Sequence, residues 1–197
     1  MRGSRRSFER TLHCLLAPSV LLLALGANQP TGATSLMRMS LTQMSHAAQL
    51  IVRARCTDNS TGWDAGEIWT FTSFDIEETW RGSAPSQISV RLLGGRVGNI
   101  TSTVSGVPRF APGEEVVLFL EPTPRGDFSI VSWEQGTFRI RRDSRTGEEI
   151  AVQDTAGFAV FDPATRRFET VGICDLPTET LRSRVDAAMA GGPRRQP

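Results

Sequence analysis

From Gln49 onward the chain keeps returning to a period of two. Leu50, Val52, Ala54 and Cys56 alternate with Ile51, Arg53 and Arg55. Alternation sends successive side chains to opposite faces of a strand, so one face turns inward. The pattern recurs in "EIWTFTSFDIEETW", "QISVRLLGG", "DFSIVSW", "GTFRIRR", "EEIAVQD", "GFAVFD" and "RFETVGI". "EVVLFLEP" after Glu114 is apolar almost throughout and is the clearest core strand. Short strands spaced by Gly, Pro, Asn and Asp clusters predict a mainly β sandwich or barrel. Asp58 to Gly66 and Asp143 to Gly147 read as turns, and the stretch after Gly95 to Pro108 as looser chain. The second segment is long for one strand and is expected to bend or bulge near Ser73.

Helical signals stand only at the two ends. Ser40 and Gln43 have the spacing of a capping box, followed by Leu41, Met44 and Ala48 at helical intervals. Pro177 and Thr178 open a second helix over 178–190, with Leu181, Val185 and Met189 four apart. Gly191-Gly192-Pro193 stops it. The expected organisation is one domain over 40–190, a flexible segment over 28–39 and a disordered tail over 191–197. The length of 197 residues suits one such core.

Residues 1–27 combine an Arg-rich start, an apolar run from Leu12 to Leu25 and small residues at Ala24, Gly26 and Ala27. This is the layout of a cleavable secretory signal, too short for a comfortable membrane span. Ser4-Arg5-Arg6-Ser7-Phe8 resembles the bacterial twin-arginine export motif, with Glu9 where a hydrophobic residue is usual; the general secretory route is the alternative. The expected location is the periplasm or the cell exterior. Past residue 27 the two cysteines are Cys56 and Cys174. In an oxidising compartment they are a natural disulfide pair; two separate buried thiols are the other reading.

Charge and residue types narrow the function. Beyond the signal the body carries 18 Arg against 20 Asp and Glu, which is not the footprint of a nucleic-acid binder. All 22 basic residues are Arg, so Schiff-base, P-loop and Ser-Lys chemistry have no lysine to use. His46 is the one histidine past the signal, with no partner motif for a triad. One His and two distant Cys supply no zinc set, so no metal and no cofactor is expected. The carboxylate pairs Glu114-Glu115, Glu77-Glu78 and Glu148-Glu149 are adjacent, and neighbours on a strand point apart. They cannot converge on one bond as a glycosidase pair must. "GGRVGN" lacks the following helix of a phosphate loop and reads as a bulge or a close backbone approach.

Three segments in order, "QLIVRARC", "WTFTSFDIEETWRG" and "QISVRLLGG", followed by "FAPGEEVVLFLEP", resemble the netrin-like modules of the tissue inhibitors of metalloproteinases and a group of exported bacterial proteins of the same pattern. The likeness covers roughly Ala47 to Trp133. It implies an OB-like five-stranded barrel with helices packed outside. Those inhibitors use an N-terminal cysteine to reach the protease zinc, and no such cysteine stands here, so no functional residue carries over. The resulting expectation is a non-catalytic binding module, with Trp69, Phe71, Gly94, Gly95, Arg96 and Gly98 as its binding patch. An inhibitor or accessory of a secreted protease is the alternative, and an unrecognised hydrolase the third reading.

Overall fold

The computed structural model describes residues 36–154, 159–170 and 176–191. The signal segment, Cys174 and the tail from 192 lie outside the described residues. Strand β1 (Leu36–Met37) falls within the segment expected to be flexible. It pairs parallel with β11 (Val160–Asp162), which pairs antiparallel with β12 (Arg167–Glu169). Buried Gln135 holds the chain just after β1: its Nε2 donates to the Met37 carbonyl and its Oε1 accepts from Met39 N–H, both at 2.9 Å. Arg38 then bridges Asp162 at 3.0 Å and Glu169 at 2.6 Å.

Helix α1 (Leu41–Ala47) starts where the capping box requires. Gln43 N–H donates to Ser40 Oγ, and Ser40 N–H donates to Gln43 Oε1. Two otherwise unpaired donors of the first turn are thereby satisfied.

The large sheet begins with β2 (Leu50–Asp64) and β3 (Glu67–Arg81), two 15-residue strands joined by a tight turn. The polar run expected as a turn is strand up to Asp64. Its side chains are stitched laterally: Asn59 Nδ2 donates to Phe110 O, Thr72 Oγ1 donates to Asn59 Oδ1, and Thr61 Oγ1 donates to Arg96 O. These bonds absorb polar groups that would otherwise favour a turn. The reversal falls on Ala65 and Gly66, with φ of 51° and 86°. Two positive φ values are the geometry of the primed hairpin turns, which match strand twist. A bulge does lie beside Ser73, at the Cys56/Asp58 register shift, but the extra residue is on β2 and not on the segment expected to carry it; the extra residues of β3 are Glu77 and Trp80. Thr57 is the extra residue there, and its hydroxyl donates to the Ser73 carbonyl at 3.1 Å.

β4 (Gln87–Leu93) pairs with β3, and a short hairpin of β5 (Gly95–Val97) and β6 (Ile100–Ser102) occupies the stretch expected to be loose. β7 (Glu115–Pro122) lies beside β2. Its other edge is divided. Val116 to Leu118 pair with β9 (Thr137–Arg142), and Leu120 to Pro122 pair with β8 (Phe128–Ile130). One parallel pair, Val90 with Phe128, links β8 back to β4. The strands β2, β3, β4, β8 and β7 thus form a partly closed ring. β9 continues outward into β10 (Glu149–Val152) and β13 (Leu176–Pro177). The fold is mainly β.

Two cores lie on the two faces of β7. Val116, Leu118 and Leu120 join Leu50, Val52, Ala54, Cys56, Phe74 and Val90 inside the ring. Val117 and Phe119 face the other way, against Met44 of α1, Phe138, Ala151, and Leu181 and Val185 of α2 (Thr178–Ala190). Burial on both faces is why the β7 sequence reads as a continuous apolar run. Thr178 Oγ1 donates to the Glu149 carbonyl at 3.2 Å and ties the start of α2 to β10. No helix among the described residues is long and apolar enough to cross a membrane.

Ala65 holds a left-handed conformation that costs an L residue with a Cβ about 1–2 kcal/mol. Ala65→Asn, which restores the favoured Asn-Gly turn pair, is expected to raise unfolding free energy by roughly 0.5–1 kcal/mol in urea titration.

Candidate binding face

The outer surface of the β2–β3–β4 sheet carries an aromatic tier. Trp69 and Phe71 project outward because Ile68, Thr70 and Thr72 between and beside them are the inward set. The register sets Phe71 opposite Arg91, and the Arg91 guanidinium lies 4.7 Å from the Trp69 ring centre and 5.4 Å from that of Phe71. Asp127 accepts from Arg91 Nε at 2.7 Å, and Asp64 accepts from Nη2 at 3.1 Å. Arg125 closes the group on Asp64 at 2.5 Å. The cation is therefore stacked on two rings and gripped by two carboxylates. A cation over an aromatic face stabilises by about 0.5–2 kcal/mol, more as water is excluded. Across the hairpin, Gly62 stands opposite Trp69 and Ser60 opposite Phe71. These small residues leave that flank of both half-buried rings open. Trp63 near the hairpin tip is 54% exposed.

The glycine-rich part of the expected patch lies on the other side of the same sheet. Gly94 and Gly95, at φ of 89° and 144°, turn the chain from β4 across the inward face of the hairpin. A Cβ on Gly95 would come within 2.6 Å of Thr70 Oγ1 and 3.0 Å of Thr61 Cγ2. Both threonines are inward residues, whereas Trp69 and Phe71 are outward. Arg96 donates from Nε to the Gly98 carbonyl at 3.1 Å, within the β5–β6 turn. The six residues grouped by sequence are thus divided between two faces. The residues that complete each face were not singled out by sequence: Arg91, Asp64 and Asp127 outside, Arg109 inside. Arg91 had a signal, an outward position in an alternating strand, but its pairing with Phe71 depends on register.

Glu114 and Glu115 separate, but Glu77 and Glu78 do not: both come to the Arg53 guanidinium, at 3.6 and 3.7 Å, because the register shift between Arg53 and Ala54 makes Glu77 an extra residue on β3. Glu114 accepts from Arg139 Nε at 2.9 Å, whereas Glu115 accepts from Arg53 Nε at 2.5 Å and Arg55 Nη2 at 3.1 Å. Glu77 meets Arg55 at 2.8 Å, Glu78 meets Arg182 at 2.7 Å, and Glu149 meets Arg53 at 3.0 Å. Arg139 also holds Glu134 at 2.9 Å, with 12% of each side chain exposed. Burial pushes the Glu134 carboxyl above its ordinary range; Arg139 pulls it down, but Asp154 and Glu114 add opposing negative charge. Burial works against the Arg139 cation too, and Glu134 and Glu114 more than restore it.

His46 sits in the last turn of α1, its Nε2 buried without a hydrogen-bond partner among the described residues. No group of three His, Cys, Asp or Glu is arranged to hold a metal among the described residues. Cys56 is buried in the ring core, 3.9 Å from Asn59 Nδ2, and burial raises its thiol pKa. No disulfide occurs among the described residues; the expected partner Cys174 lies outside them. No protein-family model matches this chain, and no curated protein matches it in sequence.

Two predictions follow from the charges. Arg139→Met leaves Glu114 and Glu134 without their shared cation and is expected to cost about 3–5 kcal/mol in chemical denaturation. At Asp64, burial pushes the carboxyl upward, but hydrogen bonds from Arg125 and Arg91 outweigh it and leave it below the usual aspartate range. A depressed folded-state pKa contributes stability above the unfolded value, about 3.9, and loses it as pH falls through the folded value. The stability gap between wild type and Asp64→Asn should therefore be constant from neutral pH down to about pH 4.5 and close toward about pH 2. A gap independent of pH over that span contradicts the assignment.

Proposed function

We propose that this chain is an exported, non-catalytic binding module whose ring is an OB-like, netrin-like barrel. Support for the barrel comes from five strands linked in a cycle, with α1 and α2 packed on the far face of β7. The link between β4 and β8 is its narrowest point. Support for export comes from the signal layout of residues 1–27. The observation that carries the binding reading is the Trp69–Arg91–Phe71 tier on an outward sheet face. Aromatic and arginine side chains held rigid in this way are the residue types that anchor protein interfaces. Glu114 and Glu134 are engaged by one and the same guanidinium.

The test is capture. Tagged protein starting at about residue 28, past the expected signal, is incubated with the exported fraction of its source organism. The expected result is one protein retained at near-equal yield, and its loss by about thirtyfold in Trp69→Ser, the weight of an interface hot spot. Thermal melting of the variant serves as the folding control. A captured protease would turn the binding module into an inhibitor or accessory. Capture unchanged by Trp69→Ser and Phe71→Ser in folded variants would overturn the assignment of this face.

A further inference from the structure

Arg109 differs from the arginines that build the sheet surfaces. Arg53, Arg55, Arg91, Arg125 and Arg139 each reach at least one carboxylate. Arg109 reaches none among the described residues. Its guanidinium is instead oriented by neutral acceptors. Nη1 donates to Thr70 Oγ1 at 3.0 Å and to the Gly94 carbonyl at 3.3 Å, and Nη2 donates to the Leu93 carbonyl at 3.1 Å. A guanidinium has five N–H donors in a rigid plane. Thr70 Oγ1 and the Gly94 carbonyl lie 2.7 Å apart and share one Nη1–H, and the Leu93 carbonyl takes one Nη2–H. Nε–H, one Nη1–H and one Nη2–H remain, and Nε and Nη2 stand along one edge of the guanidinium plane. That edge is the fork that grips two oxygens of a carboxylate or phosphate at once.

The fork is held in place by the backbone. A Cβ on Gly94 would stand 2.7 Å from Arg109 Nη2 and 2.7 Å from the Ser102 carbonyl, so glycine is what lets the guanidinium lie against the turn. Thr70, which accepts from Nη1, is buried in the hairpin. The residue as a whole is exposed, yet burial lowers the guanidinium pKa with no carboxylate to offset it. Arg96, one residue beyond Gly95, likewise meets no carboxylate among the described residues and adds positive charge next to the same turn. A neighbouring pair of carboxylates is already engaged: Arg139 holds Glu114 and Glu134, and its Nη2 donates to the Arg109 carbonyl at 3.3 Å.

We propose that Arg109 is an oxyanion-binding fork: a carboxylate or phosphoryl group of a ligand docks on its Nε–H and Nη2–H edge, beside the Gly94-Gly95 turn. The proposal goes beyond the Trp69 face and gives a second site a ligand of stated chemical class. It lies on the opposite sheet face from Trp69 and Phe71, so Trp69-dependent capture and Arg109-dependent anion binding can fail separately.

The test uses the ¹⁵N-labelled chain past the signal, with arginine Nε–H resonances followed during titration with sodium phosphate and, separately, sodium acetate, at constant ionic strength set with chloride. The Arg109 signal is expected to shift saturably while that of Arg91, whose Nε is already bonded to Asp127, stays in place. Saturation by phosphate alone assigns a phosphoryl ligand; saturation by acetate alone assigns a carboxylate; saturation by both assigns a general oxyanion site. Arg109→Lys keeps the charge and removes the fork, and is expected to weaken binding at least about tenfold, the effect of losing one charge-assisted hydrogen bond. Should that variant fail to fold, assignment of the wild-type Nε–H signals through the backbone decides the matter without it. A linear, unsaturated drift shared by all exposed arginines, or an Arg109 signal indifferent to both anions, would overturn the proposal.

Discussion

The structure depends on β7 being buried from both sides while both of its edges are paired. Val116, Leu118 and Leu120 close the ring core; Val117 and Phe119 seat the two helices. One edge belongs to β2, and the other is divided between β9 and β8. The division brings the ring and the outlying β9–β10–β13 strands together on one strand. Phe119 against Phe138, ring centres 5.6 Å apart, packs across that junction. A polar residue anywhere in Val116 to Leu120 would be buried without solvent on either face, so the strand has no position at which to place one cheaply.

Charge follows the same geometry. Arginine as the sole basic residue type gives every cation a planar, multi-donor head. The sheet surface uses it repeatedly: Arg53 touches Glu77, Glu78, Glu115 and Glu149, bridging β2, β3, β7 and β10. Such a network binds strands laterally, but exposed ion pairs each contribute only about 0–1 kcal/mol. The Arg139–Glu134 pair, with 12% of each side chain exposed, is the most shielded and matters more. There the helical turn at Trp133–Gly136, the loop before β7 and β9 meet on one guanidinium. The stacked Arg91 and the carbonyl-held Arg109 use the same chemistry toward the two faces of the β2–β3–β4 sheet.

Both helices and the longer alternating strands were legible in sequence because each carries its own period, whereas β1 and the β5–β6 hairpin, two and three residues long, are too short to show one. The α1 capping box and the Leu181–Val185 stripe are local signals, and local structure honours them. The apolar run of β7 was legible as core, but not as a strand serving two cores. The polar run Asp58 to Asp64 misled because its side chains find partners on Phe110, Thr72 and Arg96, far along the chain. The binding residues were legible only in part for the same reason. Trp69 and Phe71 announce themselves by type, and Gly94-Gly95 by composition. Which face each occupies is a matter of parity, and parity separates the aromatics from the glycines. Arg109 follows a proline in a loop and carries no local signal; only the folded turn shows what its donors meet.

The most direct measurement of the central claim is native-state hydrogen exchange, read residue by residue. If β7 joins both cores and both edges, amides from Val116 to Leu120 exchange only through global unfolding, with the highest protection in the molecule. The β5–β6 hairpin, held through Thr61 and the glycine turn, should open locally at much lower free energy. Protection in β7 that falls below that of β3 or β9, with local opening at low denaturant, would contradict the account.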